Sequence, residues 1–180
     1  RASERGLEAV EIFRSTSEYV HGLDGMLRKH GLALEALGTG AGWVLHQWHL
    51  CHPGPASRML ARNFIRGFID AAAVHQAPAI VGSMQGRVEK GVTRDQALQW
   101  FGEAMKDLAE HAARLGVRLL YEPLNRYETN LFNLQGEASK FLQRLNLGNV
   151  KLLADLFHIN REESKLCTTF RNQAASIGQI

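Results

Sequence analysis

The stretch "LLYEPLNRYETN" (119–130) reads as a buried strand that ends on a carboxylate. The apolar run stops at Glu122, Pro123 follows at once, and a polar string with Asn125, Arg126, Glu128 and Asn130 comes after it. A strand is predicted over 117–125. A second one is predicted over 150–160, "VKLLADLFHIN". Strand side chains alternate between faces, so Arg118, Leu120 and Glu122 share one face, and Lys151, Leu153 and Asp155 share another. Both read basic–x–Leu–x–carboxylate. The carboxylates lie 33 residues apart (122 to 155), about one βαβ unit. Parallel neighbours are ~4.8 Å apart, which brings Glu122 and Asp155 out together at the carboxyl ends of adjacent strands. Barrels and open α/β sheets place their chemistry there.

Outward from this pair, short apolar runs alternate with helical patterns. Strands are predicted at 7–13, 32–40 and 77–84, and "IGQI" (177–180) reads as the start of another. Helices are predicted at 22–31, ending at Gly31, at 56–76 with Leu60, Phe64, Phe68 and Ala72 on one face, at 135–148 and at 162–176. "TRDQ" (93–96) fits a capping box opening a helix whose stripe holds Leu98, Phe101, Met105, Leu108, Ala112 and Leu115, with Gly116 as its stop. Strand–helix alternation without hairpin signals means a parallel sheet with helical crossovers. A doubly wound sheet and a (β/α)₈ barrel both satisfy it. A complete barrel takes ~250 residues. The chain opens in a helix-like piece, "RASERG", and closes on a strand, so we read residues 1–180 as one incomplete barrel domain: strands 2 to 6 and the start of strand 7.

Composition supports a packed core: 45% of the 180 residues are hydrophobic, with seventeen glycines and four prolines. The net charge of +3 is spread along the chain, without the basic patch that nucleic acid or a membrane surface requires. No apolar run has the length of a membrane helix and no signal-peptide pattern opens the chain. Cys51 and Cys167, far apart in sequence, read as free thiols of a reducing compartment, and a cytoplasmic protein is expected.

Two anions held that close repel, so either one takes a proton or a cation sits between them. His158 adds an imidazole three residues after Asp155. A Glu–Asp–His set at one rim suits a divalent metal with oxygen and nitrogen ligands. The alternative is that each carboxylate caps a loop or pairs with an arginine.

"YEPLNRYETN" (121–130), "ADLFHINREE" (154–163) and "IVGSMQGR" (80–87) resemble the ketose 3-epimerases, such as D-tagatose/D-psicose 3-epimerases, and related sugar (phosphate) isomerases of the xylose-isomerase-like TIM-barrel superfamily. The likeness extends to "GLEAVEIF" and "GTGAGW". It implies a divalent cation, most often manganese, otherwise magnesium or cobalt, held by a Glu, an Asp, a His and a second Glu. Glu122 matches the first and Asp155 the second. His158 and Glu128 match positions that contact the hydroxyl and carbonyl oxygens of the substrate. The remaining His and Glu would lie beyond "SIGQI". "HQA" (75–77) replaces a Leu-Gly-Ala-like turn, a change expected to be structural only.

The implied reaction is proton abstraction beside a carbonyl through an enediolate, with Glu122 as general acid or base. Return to the same carbon epimerises the sugar, and return to its neighbour isomerises it. Gln85 and Arg87 in "GSMQGR" (82–87) are expected to reach substrate hydroxyls or a phosphate, or else to form a turn. Trp43 is expected to wall the sugar. "GTGAGW" (38–43) superficially resembles a phosphate loop but lacks the Walker lysine and is not expected to open directly into a helix. "HQWHLCH" (46–52) is a single cluster without the second ligand pair of a structural zinc site. Glu11 either faces the pocket or is a structural carboxylate, and His75 and His111 read as solvated or packed. The expected partner is a small sugar, and a homo-oligomer is compatible. Two other functions fit the pattern: a non-catalytic carbohydrate-binding barrel and an abasic-site endonuclease-like enzyme.

Overall fold

The computed structural model describes residues 5–13, 16–17 and 22–180. Residues 1–4 of "RASERG" lie outside them. Six strands, β1 (Ala9–Phe13), β2 (Ala33–Gly38), β3 (Ala79–Val81), β4 (Leu119–Tyr121), β5 (Val150–Leu153) and β6 (Ile177–Gln179), form one sheet in that order. Every pairing is parallel. A doubly wound sheet reverses its strand order at a switch point. Here the order never reverses, so the sheet is part of a barrel wall.

The helices are α1 (Leu23–His30), α2 (Ala41–His46), α3 (Pro55–His75), α4 (Arg94–Arg114), α5 (Gln135–Leu145), α6 (Leu156–Glu162) and α7 (Leu166–Gln173). The Thr93–Gln96 capping box forms with both reciprocal bonds. Gly31 ends α1 at φ +62.

Parallel strands covered on both faces read as continuous apolar runs, and β3 and β4 are buried at every position. The main core lies between sheet and helices, where Phe101 of α4 contacts Tyr121 of β4 and stacks on Phe141 of α5. A smaller cluster inside the barrel takes one residue from each of four successive strands: Ala36, Ile80, Leu120 and Leu153. Filling by alternate inward residues is the packing rule of small barrels.

Several predicted boundaries move. The strand predicted over 150–160 ends at Leu153, and Leu156–Glu162 is helix, because Asp155 caps a helix there. The strand predicted over 117–125 is confined to Leu119–Tyr121, since Pro123 cannot donate to the ladder. "GTGAGW" does open into a helix, the short α2. The buried face of α3 is rotated by about one residue, onto Ala61, Ile65, Phe68, Ile69 and Ala72, and leaves Leu60 exposed. His111 has a partner, Asp70, at 2.6 Å between α4 and α3.

The two basic–x–Leu–x–carboxylate patterns do not align residue for residue. Leu120 pairs with Lys151 and Tyr121 with Leu152, so Asp155 lies two residues beyond the level of Glu122. Stagger between neighbours is how tilted barrel strands close.

Candidate active site

Three consecutive strand ends build the site. The Glu122 N–H donates to Val81 O at 3.0 Å, extending the β3–β4 ladder by one residue before Pro123 ends it. Beneath it lies Gln85, which is fully buried. Its amide donates to the carbonyls of Glu122 and Gly82 at 3.0 Å each, and its oxygen accepts from the Tyr121 hydroxyl at 2.7 Å. Its hydrogen-bonding groups are engaged with the chain end that carries Glu122, and the turn expected around "GSMQGR" is a 3-10 turn over Ser83–Gln85.

From β5, Asp155 caps α6 by accepting the Phe157 N–H at 2.7 Å on Oδ1. The cap is one of the two readings of that carboxylate, and it leaves Oδ2 outside this bond. One turn on, the same helix carries buried His158 to the rim, with Nε2 3.6 Å from Oε1 of Glu122. Asn125 bridges the two sides. Its N–H lies 3.2 Å and its side-chain nitrogen 2.8 Å from Nδ1 of His158, and that nitrogen also donates to Glu128 Oε1 at 2.8 Å.

Glu122, Asp155 and His158 each offer a ligand atom within 4.8 Å of the others. A cleft of about 260 Å³ opens on the two carboxylates, lined by Glu11, Glu122, Leu153, Asp155, Leu156, Gln179 and Ile180. Burial, then the charges of Asp155, Glu11 and Glu128, pushes Glu122 up to about 8. Glu11, reached by solvent on one side, is also raised, first by desolvation and then by Asp155 and Glu35. So much negative charge at one strand-end rim is what a divalent cation relieves. Oxygen ligands at ~2.0–2.6 Å from an ion are within a small side-chain rotation of this spacing. The residues therefore fit a hard divalent metal.

The loops around the site are tied down by carboxylates and amides that periodicity does not single out. Glu162, its side chain 5% exposed, receives Arg126 at 2.9 Å, and Glu163 accepts the Gln135 N–H at 2.9 Å. These bonds lash α6, and His158 with it, to the segment after β4. Thr129 donates to Gly86 O at 2.7 Å, and Asn130 bonds Val88 on both its N–H and its carbonyl. Sequence reasoning missed the role of Asn125, and the only available signal was its place between Glu122 and Glu128.

The other predicted site residues do not line that cleft. Glu128 is 43% exposed. Arg87 is exposed on the loop after β3. Trp43, half-buried, packs on the main core and edge-on to His49. In the histidine-rich loop, His49 is buried and bonds Glu89 at 2.8 Å, and its pKa is lowered by burial. His52 accepts the Gly54 N–H, and Cys51, pushed up to about 12 by burial, donates to the carbonyls of Gln85 and Arg87.

Residues 1–180 match the family described as xylose isomerase-like TIM barrel. The chain belongs to that family. It is 33% identical over 103 residues to L-ribulose 3-epimerase of Mesorhizobium japonicum, covering 56% of this chain and 34% of that protein. It is 27% identical over 116 residues to hydroxypyruvate isomerase of Escherichia coli, covering 61% and 45%. Among solved structures, D-allulose 3-epimerase from Methylomonas sp. in complex with D-allulose superposes with a TM-score of 0.85 at 24% identity, over 99% of this chain and 62% of that one. This xylose isomerase-like chain thus spans less than two thirds of the length of each of these three relatives. Among the described residues, no helix is long and apolar enough to cross a membrane.

Proposed function

We propose that the chain carries part of the active site of a divalent-metal-dependent ketose 3-epimerase or aldose–ketose isomerase. The observation that carries this reading is the convergence of Glu122, Asp155 and His158 within 4.8 Å at neighbouring strand ends. The name of its relative L-ribulose 3-epimerase supports a sugar as the substrate. Glu122 and Asp155 are the metal ligands, with manganese as the first choice and magnesium or cobalt as alternatives. Glu128 and His158 face the sugar oxygens. Arg87, on its exposed loop, and Trp43 are assigned to the rim contacts, and Gln85 acts through Glu122, whose carbonyl it holds.

In its ionised form Glu122 takes the proton from the carbon beside the carbonyl, leaving an enediolate. Its desolvated setting makes it a stronger base than a solvated carboxylate, and positioned proton transfer contributes typically ~10²–10⁴ in rate. A bound divalent cation supplies Lewis acidity at the carbonyl oxygen and counter-charge for the crowded carboxylates. Glu128, tied to Asn125, and His158, tied to the same residue, orient the sugar over Glu122. Return of the proton from the opposite face inverts the centre, and return to the neighbouring carbon interconverts ketose and aldose.

Free cysteines at 51 and 167 suit a reducing compartment, and we place the protein in the cytoplasm. The test, made on the full-length protein that carries this chain, is deuterium uptake from heavy water into free and phosphorylated ketoses, with and without manganese. Metal-dependent label beside the carbonyl is expected. Exchange that ignores chelation would refute the metal assignment, and its absence with every sugar would refute the reaction.

A further inference from the structure

Resting on the sugar reading above, one contact determines what the Nε2 atom of His158, 3.6 Å from Oε1 of Glu122, can offer a sugar. A backbone N–H can only donate, and that of Asn125 points at Nδ1 of His158 at 3.2 Å. Nδ1 is therefore an acceptor and carries no proton. The side chain of Asn125 says the same. Its oxygen accepts the Tyr127 N–H at 3.0 Å, which identifies the other end as the amide nitrogen. That nitrogen lies 2.8 Å from Nδ1 of His158 and donates to Glu128 at 2.8 Å. Two donors thus converge on one ring nitrogen, on a residue that is itself 2% exposed. Glu128 lies 3.7 Å from Nδ1, too far to take a proton from it, and meets the ring only through the amide.

We propose that Asn125 is a positioning residue that holds His158 with Nδ1 as an acceptor and its proton on Nε2, so that the ring turns a hydrogen-bond donor towards Glu122 and a sugar oxygen beside it. A metal ligand needs a lone pair, and the nitrogen turned towards Glu122 has none in this form. His158 therefore stands among the three clustered groups without joining the two carboxylates as a ligand. With the proton on Nδ1 instead, the ring would meet the Asn125 N–H donor to donor, and the fixed amide would have to turn over against Tyr127.

The experiment is long-range proton–nitrogen NMR on the chain labelled with ¹⁵N-histidine, above the titration range of histidine, with His158 assigned by its loss in His158→Gln. Nδ1 is expected to show the downfield, unprotonated resonance and Nε2 the protonated one. The reverse would overturn the proposal outright, whether or not any variant folds. Asn125→Asp keeps the shape and replaces a donor by an acceptor. It is expected to weaken the unprotonated signature of Nδ1 measurably, against the backbone N–H that remains. A native-like Asn125→Asp spectrum would show that the side chain does not set the proton and would overturn its role. Saturation-transfer measurements with a ketose on the same samples separate the two levels. No sugar contact alongside an unprotonated Nδ1 would defeat the sugar reading and leave the tautomer assignment standing.

Discussion

A methyl group on Gly82 would overlap Oε2 of Glu122: the residue that follows β3 has no side chain, and the carboxylate of the next strand fills the space. The position and tilt of Glu122 are thus fixed from below by Gln85 and from the side by a bare α-carbon.

Gly82→Ala should push the Glu122 carboxylate aside. The overlapped atom is the far end of a side chain, so the fold should lose little, while a displacement of about 1 Å at a reacting group can cost ~10² in rate. The expected result is a folded protein with weakened manganese affinity and strongly reduced proton exchange. Titration calorimetry with manganese beside a melting curve checks it, and native metal binding in a folded variant would contradict the packing argument.

Glu122 should also make stability depend on pH. Its folded value is about 8 against an ordinary 4.5, so the folded chain retains a proton that the unfolded chain releases. Stability is then fully present below 4.5 and lost progressively as the pH rises through about 8. Each unit of displacement is worth about 1.4 kcal/mol, so the loss is a sizeable share of a domain's stability. Glu11 is shifted in the same sense. Urea unfolding at pH 6 and pH 9 should show the weaker fold at pH 9. Glu122→Gln should remove most of that slope, and manganese should flatten it by binding the ionised form. A wild-type chain that is more stable at pH 9 would contradict this.

The end of α3 offers a test away from the site. Gln76 holds φ +54 at the helix C-cap, a left-handed conformation that costs a residue with a Cβ ~1–2 kcal/mol. Its side chain is exposed. Gln76→Gly should therefore stabilise the chain by about 0.5–1 kcal/mol after the added freedom of the unfolded state is subtracted. A rise in melting temperature with unchanged metal affinity is the expected pairing.

The architecture and the site were not equally legible in the sequence. Alternation of apolar runs and helical stripes was enough for parallel strands and crossovers, because β3, β4 and the stripe of α4 are written in contiguous or regularly spaced residues. Glu122 and Asp155 were legible for the same reason, as repeats at strand ends. The register between them was not, since stagger depends on barrel closure, and neither 117–125 nor 150–160 states it. The helix at 156–162 was hidden because "LFHIN" carries strand-like residues, and only the Asp155 cap decides the matter. Asn125, Glu162 and Glu163 act across loops, on partners 28 to 36 residues away. Local pattern does not reach that far. His111 looked unpartnered for the same reason, its aspartate being 41 residues off.

The division of labour within the cluster predicts three different variants. Glu122→Gln keeps the shape but removes a charge and a proton acceptor, so exchange should fall by at least ~10², the low end for losing general base catalysis. Asp155→Asn keeps a cap oxygen for Phe157 yet gives up the negative ligand. It should chiefly raise the manganese concentration needed, with excess metal restoring part of the activity. His158→Ala should leave manganese affinity near native while impairing turnover, because the ring nitrogen turned towards Glu122 carries a proton. Metal content by elemental analysis, beside deuterium uptake from heavy water, separates the three. Undiminished exchange in Glu122→Gln would mean that another group takes the proton, and the strand that ends in "YEP" would have to be read as a wall rather than a base.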